Sequence, residues 1–121
     1  MDPLERLRAI CLELPEASER LNHGSPAFAV RSKSFTVFLA DDHHGPGQAI
    51  WCPAPDGVQA EVVDAEPERF FVPPYVGHGG WIGVRLDIDP DWDEIREIVR
   101  DAYRKVAPKK LSAPLDSPDG A

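Results

Sequence analysis

The sequence predicts an α+β fold, a two-layer sandwich in which helices cover one face of an antiparallel sheet. Amphipathic helical patterns open and close the chain, and short alternating runs separated by Gly, Pro and polar breaks occupy the part between them. A chain of 121 residues, 42% of them hydrophobic, is long enough for one core and too short for two. We therefore expect a single domain over residues 1–111.

Three helices are predicted, each bounded by residues that start or stop a helix. Residues 4–14 carry apolar side chains at spacings of three and four, and Pro15 ends this pattern. A second helix is expected from an N-cap at Asp56 to residue 65. The last helix is expected to begin with Asp89 as its N-cap and to end before Pro108.

The strands are predicted from alternation and from turn residues. Four runs form an antiparallel meander, and they are residues 20–23, 27–31, 35–40 and 48–52. Phe35, Val37 and Leu39 alternate with Thr36, Phe38 and Ala40, so the first three are expected to share the apolar face of one strand and the others a mixed face. A fifth strand is predicted over residues 81–88, with Ile88 among the residues that face the core.

Two segments lack a regular pattern. Residues 70–80 are rich in Gly and Pro, which block helix and central strand, so we expect a structured loop there. Residues 112–121 lack the apolar groups that would offset the entropy of ordering them, and this tail is expected to be disordered.

Charge and cysteine content bound the functional class. Thirteen basic and 21 acidic residues give a formal net charge of −8, which repels nucleic acid and anionic membranes at long range. The two cysteines, Cys11 and Cys52, are too few for a disulfide framework and are expected to be buried thiols. Without a signal-like start or an apolar run of about 18 residues, the expected location is the cytoplasm.

Several separated motifs agree in order and spacing with one protein family. They are Leu14-Pro15, Pro26-Ala27-Phe28, Lys33-Ser34-Phe35, Pro67 with Phe70 and Pro73, Tyr75 with Gly77, Gly80 and Trp81, Trp92-Asp93-Glu94, and Tyr103 with Ala107-Pro108-Lys109-Lys110. Over residues 4–111 the chain resembles the MmcQ/YjbR-like family of small bacterial proteins. The resemblance implies a fold similar to the frataxin-like (CyaY-like) sandwich and a role in DNA binding in which β-hairpins act as wings.

Basic residues at two places are the candidate nucleic-acid-binding residues of an otherwise acidic chain. They are Arg31 and Lys33 at the first hairpin tip, and Arg104, Lys105, Lys109 and Lys110 at the end of the last helix. Cations of this kind contact phosphates. Cations at a helix C-terminus also stabilise the helix dipole, so a purely structural role is the alternative.

A binding module of another class is the alternative to DNA binding. Its candidate residues for a small molecule or a protein partner lie in or next to the loop at residues 75–81: Tyr75, His78, Trp81 and Arg85. Aromatic side chains beside a glycine-rich loop can line a groove, and they can equally anchor the loop to the core.

Catalytic and metal sites are weakly indicated. Asp41, Asp42, His43 and His44 are suitable metal ligands but fit a polar turn equally well. The acids at residues 87–94 are better explained as helix caps, and Cys52 with His23 or His78 lacks any spacing that enforces proximity. We therefore expect a monomer that is not an enzyme, without a cofactor or a metal.

Overall fold

The chain adopts a six-stranded sheet with helices packed against it, in a computed structural model that describes residues 2–40 and 47–116. The elements in order are α1 (Pro3–Leu12), β1 (Ser18–Asn22), β2 (Ser25–Val30), β3 (Lys33–Leu39), β4 (Ala49–Cys52), α2 (Val58–Ala65), β5 (Phe70–Phe71), β6 (Ile82–Arg85), α3 (Trp92–Val106) and α4 (Lys109–Ser112). Short 3₁₀ helices cover Gly77–Gly79 and Ala113–Asp116.

All neighbouring strands are antiparallel, in the order β1-β2-β3-β4-β6-β5. The predicted α+β class and the four-strand meander are confirmed. Strand β5 lies inside the segment predicted to be irregular, because two residues are too few to produce an alternating pattern. It pairs with β6 through Phe70 and Phe71 and forms one edge of the sheet.

A bulge in the second hairpin decides which residues face the helices. Phe28 is opposite Thr36 and Ala29 is opposite Ser34, so β3 has one extra residue, Phe35, at this point. Phe35 and Thr36 are both fully buried. After the bulge, Phe38 lies on the same face as Phe35, whereas Val37 and Leu39 lie on the other face. The expectation that Phe35 shares a face with Val37 and Leu39 is therefore wrong.

The sheet consequently has two apolar faces. The face toward the helices forms the main core, with Phe28, Val30, Phe35, Phe38, Ile50, Cys52, Ile82 and Val84 from the strands and Leu7, Ile10, Cys11, Ile95, Val99 and Tyr103 from α1 and α3. The opposite face, called here the open face, carries a smaller cluster of Ala27, Val37, Leu39 and Trp51 with Phe71, Val76 and Trp81 packed against it.

Tyr103 ties the helical layer to the sheet and to the turn after α1. Its ring is fully buried and packs edge-on against Phe35, with the ring centroids 5.5 Å apart. Its hydroxyl donates a 2.7 Å hydrogen bond to the carbonyl of Pro15. One side chain thus joins α3, β3 and the segment that leads from α1 into β1.

The predicted starts of two helices are wrong by about one turn or less. Helix α3 is capped by Asp91, which accepts from the backbone N–H groups of Asp93 and Glu94 at 3.0 and 3.2 Å, and Asp89 lies outside the helix. Helix α2 follows Gly57 at φ 85°, and no side chain caps it, so Asp56 is not its N-cap. A left-handed turn residue has no signature apart from glycine itself.

The end of the last predicted strand and the first part of the predicted disordered tail also differ from expectation. Strand β6 ends at Arg85, and Ile88 beyond it is 43% exposed and lies outside the core. After Pro108 the chain forms α4, and the 3₁₀ helix Ala113–Asp116 follows it, so residues 112–116 are helical where disorder was expected. Leu115 packs against the main core. Residues 117–121 of the predicted tail lie outside the described residues.

Replacing Tyr103 with Phe should lower the free energy of unfolding by about 1 kcal/mol, because it removes the hydroxyl donor of a partly buried hydrogen bond and leaves the Pro15 carbonyl without that partner. Urea denaturation of the two proteins followed by circular dichroism measures the difference. An unchanged midpoint would contradict the role given to the hydroxyl.

Candidate functional site

A cleft of about 540 Å³ opens on the face of the sheet that the helices leave uncovered. Its lining residues are Asn22, His23, Ser25, Ser34, Val37, Leu39, Trp51, Tyr75, Val76 and Trp81. Val37, Leu39 and Trp51 on β3 and β4 and the lining residues of the loop are apolar or aromatic, whereas Ser34 and the lining residues at the β1 end are polar. This volume is typical of pockets that bind small organic molecules, which range over about 300–1,000 Å³.

The loop that forms one wall of the cleft, residues 72–81, is held in place by a side chain from α2. The amide nitrogen of Gln59 donates to the carbonyls of Gly77 and Trp81 at 2.6 and 2.7 Å. Both hydrogens of one amide group are thereby used on one short segment. Gln59 positions Trp81 against the sheet without itself lining the cleft.

Two close approaches require glycine in this region. A Cβ on Gly83 would lie 2.3 Å from the ring of Phe71, so the bare backbone of β6 lets that ring lie across the open face. A Cβ on Gly77 would lie 2.4 Å from Cγ1 of Val72. The guanidinium carbon of Arg85 is 5.4 Å from the centroid of the Phe71 ring, a cation–π contact beside the cleft.

The structure separates the four predicted loop residues. Tyr75 and Trp81 line the cleft, and Tyr75 is 75% exposed at its mouth with φ at 68°. A non-glycine residue in the left-handed region carries backbone strain, which is frequent at binding sites. His78 is exposed on the 3₁₀ turn, and Arg85 covers Phe71, so neither lines the cleft.

Sequence analysis missed most of the remaining lining. Trp51 lies opposite Val37 across β3 and β4, and the bulge between β2 and β3 places Val37 on the face opposite to Phe35. His23 and Gly24 form the turn between β1 and β2, and Asn22 and Ser25 flank this turn. The one available signal was the alternation of Val37 and Leu39 with Phe38, which makes both sides of β3 apolar.

The hairpin tip and the end of the helical layer meet at one carboxylate. Arg31 donates to both oxygens of Glu16 at 2.6 and 3.0 Å. The pKa of the Glu16 carboxyl is lowered, first by these hydrogen bonds and Arg31's charge, and also by the positive charge of Lys110. Arg31 and Lys110 therefore act on the same carboxylate.

Two of the other predicted cations have acidic partners. Arg104 forms an ion pair with Asp101 at 2.9 Å, and Lys105 approaches Asp56 at 3.3 Å. Lys33 pairs with Val30 in the register of β2 and β3, which puts it on the helix side of the hairpin. Lys109 and Lys110 are exposed on α4.

Among the described residues, the remaining predicted metal and nucleophile candidates do not form a cluster. Asp41, Asp42, His43 and His44 lie outside the described residues, and within the residues described no group of three or more His, Cys, Asp or Glu is arranged to hold a metal ion. Cys52 belongs to the helix-side core, whereas His23 lies in the cleft on the other face of the sheet, so these two cannot pair.

None of the helices within residues 2–40 and 47–116 is long and apolar enough to cross a bilayer.

Comparison with known proteins identifies the family. The model of the YjbR family matches residues 12–105, so the chain belongs to the YjbR family. Among solved structures, the crystal structure of the Deinococcus radiodurans protein DR2400, with the family-model domain DUF419, matches with a TM-score of 0.73 and 22% identity. The match covers 98% of this chain and 91% of that protein, and it shows a shared fold. No curated protein gives a significant match.

Stability should fall as pH rises above about 9, because burial raises the pKa of the Cys52 thiol to about 12 and also raises that of Cys11. Above about pH 9 the unfolded chain loses thiol protons that the native state retains. The contribution of the neutral thiols to the free energy of unfolding is therefore complete below the pKa of the unfolded thiol and is lost as the pH rises toward the native pKa.

Urea unfolding at pH 8, 9, 10 and 11 should show a shallower alkaline decline for Cys52→Ala than for the native sequence, by up to about 1.4 kcal/mol per pH unit. The comparison of slopes removes the constant cost of the cavity that the substitution leaves. Parallel curves for the two proteins would contradict the raised pKa.

Proposed function

We propose that the protein is a non-catalytic binding module that takes a small planar organic molecule into the cleft on the open face. The observation that carries this proposal is the cleft itself: about 540 Å³, walled by Trp51, Trp81 and Tyr75, on a sheet face without a helical cover. Aromatic walls with a few polar groups at one end are the usual composition of a small-molecule site.

The aromatic side chains of the cleft differ in how much of their surface is exposed. Trp51 is 8% exposed and forms part of the floor, whereas Tyr75 is 75% exposed at the mouth. Trp81 lies between them in exposure and is held by the Gln59 hydrogen bond to its carbonyl. A flat molecule that enters between Tyr75 and the floor would bury apolar area on both of its faces.

The polar end of the cleft supports binding rather than catalysis. It holds His23 together with Ser25 and Ser34, the residue types of a nucleophile and base pair. Activation of a serine requires a hydrogen bond from its hydroxyl to the base. Ser34 instead accepts a hydrogen bond from Arg20 at 2.9 Å, and neither serine is hydrogen-bonded to His23 in the described structure.

The three tryptophans provide a direct test with the neutral probe 2-naphthylmethanol. Titration of the ¹⁵N-labelled protein should shift the indole N–H signals of Trp51 and Trp81, which line the cleft, and leave that of Trp92, which packs beneath Arg6 on the helix side. Tyr75→Ala should weaken binding about threefold to tenfold, because it removes one aromatic contact surface.

Leu21→Ala is the matched control, since Leu21 is 74% exposed but alternates with the open-face residues of β1 and so lies on the other side. It should bind the probe like the native sequence. A shift of Trp92 equal to those of Trp51 and Trp81, or equal affinities for the two alanine variants and the native protein, would refute the proposal.

Nucleic-acid binding at the hairpin tip is a second proposal, favoured by one observation: the carboxylate of Glu16 lies under the influence of both Arg31 and Lys110. Glu16 neutralises the arginine that a wing would present to a phosphate. A DNA backbone would have to compete with this carboxylate for the guanidinium.

Glu16→Gln should therefore strengthen binding of a labelled duplex about threefold or more at about 50 mM salt, measured by fluorescence anisotropy, since it removes the competing charge. Glu13→Gln, which changes the net charge equally but frees Arg96 instead, should have a smaller effect. Replacing Lys33, Lys109 and Lys110 with Ala should abolish binding and lower the salt dependence. Undetectable binding by Glu16→Gln, or equal effects of both glutamine variants, would reject this role.

A further inference from the structure

The charges on the open face differ in sign from the balance of the whole chain. The register places Ser18, Arg20, Asn22, Ser25, Ala27, Ala29, Ser34, Val37, Leu39, Ala49, Trp51, Gly83, Arg85 and Phe71 on this face of the described strands. Two of these side chains, Arg20 and Arg85, are charged, and both are cations. Although the net charge of the chain is −8, the described strands thus carry no carboxylate on this face.

The two arginines also differ from most of those on the helix side. There, five arginines are neutralised by carboxylates, in the pairs Arg8–Glu19, Arg31–Glu16, Arg69–Glu66, Arg69–Glu94, Arg96–Glu13 and Arg104–Asp101. Within the described residues neither Arg20 nor Arg85 forms an ion pair. Arg85 is engaged with the Phe71 ring, so Arg20 remains as a cation available to an external anion.

Arg20 is joined to the polar end of the cleft. Its Nη2 donates to Oγ of Ser34, a lining residue, at 2.9 Å and to the carbonyl of Ser32 at 3.3 Å. These contacts orient the guanidinium, while Nε and Nη1 have no hydrogen-bond partner among the described residues. A guanidinium carries five N–H donors, so it can donate to a further acceptor in this orientation.

From this arrangement, and resting on the proposed function, we infer that the ligand of the cleft is an organic anion: a planar apolar body with a carboxylate at one end. The body packs between Tyr75 and the floor of Trp51, and the carboxylate lies toward Arg20 at the polar end. Asn22 and the hydroxyl proton of Ser34 supply uncharged donors on the same side.

Three aromatic side chains together could also surround an organic cation. The charges on this face favour the anion, because a cation would enter beside Arg20 and find no carboxylate on the described strands of the open face. The two ligand classes therefore differ in a way that probes of one shape and different charge can resolve.

The test uses three probes with the same ring system: naphthalene-2-carboxylate, 2-naphthylmethanol and 2-naphthylmethylammonium. Binding to the full chain is followed by the indole N–H signals of Trp51 and Trp81, with Trp92 as internal reference. The carboxylate should bind on the order of tenfold more tightly than the alcohol, as expected for a charge-assisted hydrogen bond, and the ammonium should bind most weakly.

Arg20→Gln should abolish this preference by weakening the binding of the carboxylate to the level of the alcohol, and Arg20→Lys should retain part of it. Arg8→Gln is the matched control, because Arg8 is neutralised by Glu19 on the helix side, and it should keep the full preference. Circular dichroism checks that each variant is folded.

The outcomes separate the two proposals. Equal affinities for the three probes, a preference for the ammonium, or a carboxylate preference that survives Arg20→Gln would overturn the anion assignment while leaving the cleft as a binding site. Absence of any shift of Trp51 and Trp81 at millimolar probe would overturn the proposed function and, with it, this inference.

Discussion

The architecture depends on one constraint: the sheet is apolar on both faces, and the helices cover one of them. The bulge at Phe35 sends Phe35 and Thr36 to the helix side and leaves Val37 and Leu39 on the other. Since buried apolar surface contributes about 25 cal/mol per Å², a second apolar face must be covered by another part of the chain. The loop at residues 72–81 supplies this cover, and it leaves a cleft because a single loop is narrower than a layer of helices.

Side chains outside that loop hold it in place, because its own sequence allows little regular backbone hydrogen bonding. Gly and Pro remove regular backbone hydrogen bonding, so its carbonyls need partners from elsewhere. Gln59 provides two hydrogen bonds from α2, and the absence of a side chain at Gly83 allows Phe71 to lie across β6 beside Arg85. The strained backbone of Tyr75 is tolerated in this setting and carries an exposed ring to the cleft mouth.

The distribution of charge, like the packing, differs between the helix side and the open face of the sheet. On the helix side, most of the arginines pair with carboxylates, which suits a surface that only needs to stay hydrated. On the open face the described strands carry Arg20 and Arg85, without a carboxylate. A net charge summed over the chain does not show this local difference. Likewise, Arg31 counts as a free cation in the sequence but is held by Glu16 in the fold.

By itself the sequence determined the fold class, the helices and the meander, because these follow from spacings of two, three and four residues that local geometry imposes. It also pointed to Tyr75 and Trp81, since aromatic side chains in a Gly- and Pro-rich loop need something to pack against. Only the tertiary structure decided the side of the sheet on which Val37 lies, the helix that holds the loop, and the carboxylates that neutralise the cations. The physical reason is that a bulge shifts alternation without a distinctive residue, and that contacts such as Gln59 with Trp81 or Arg20 with Ser34 join residues that only folding brings together.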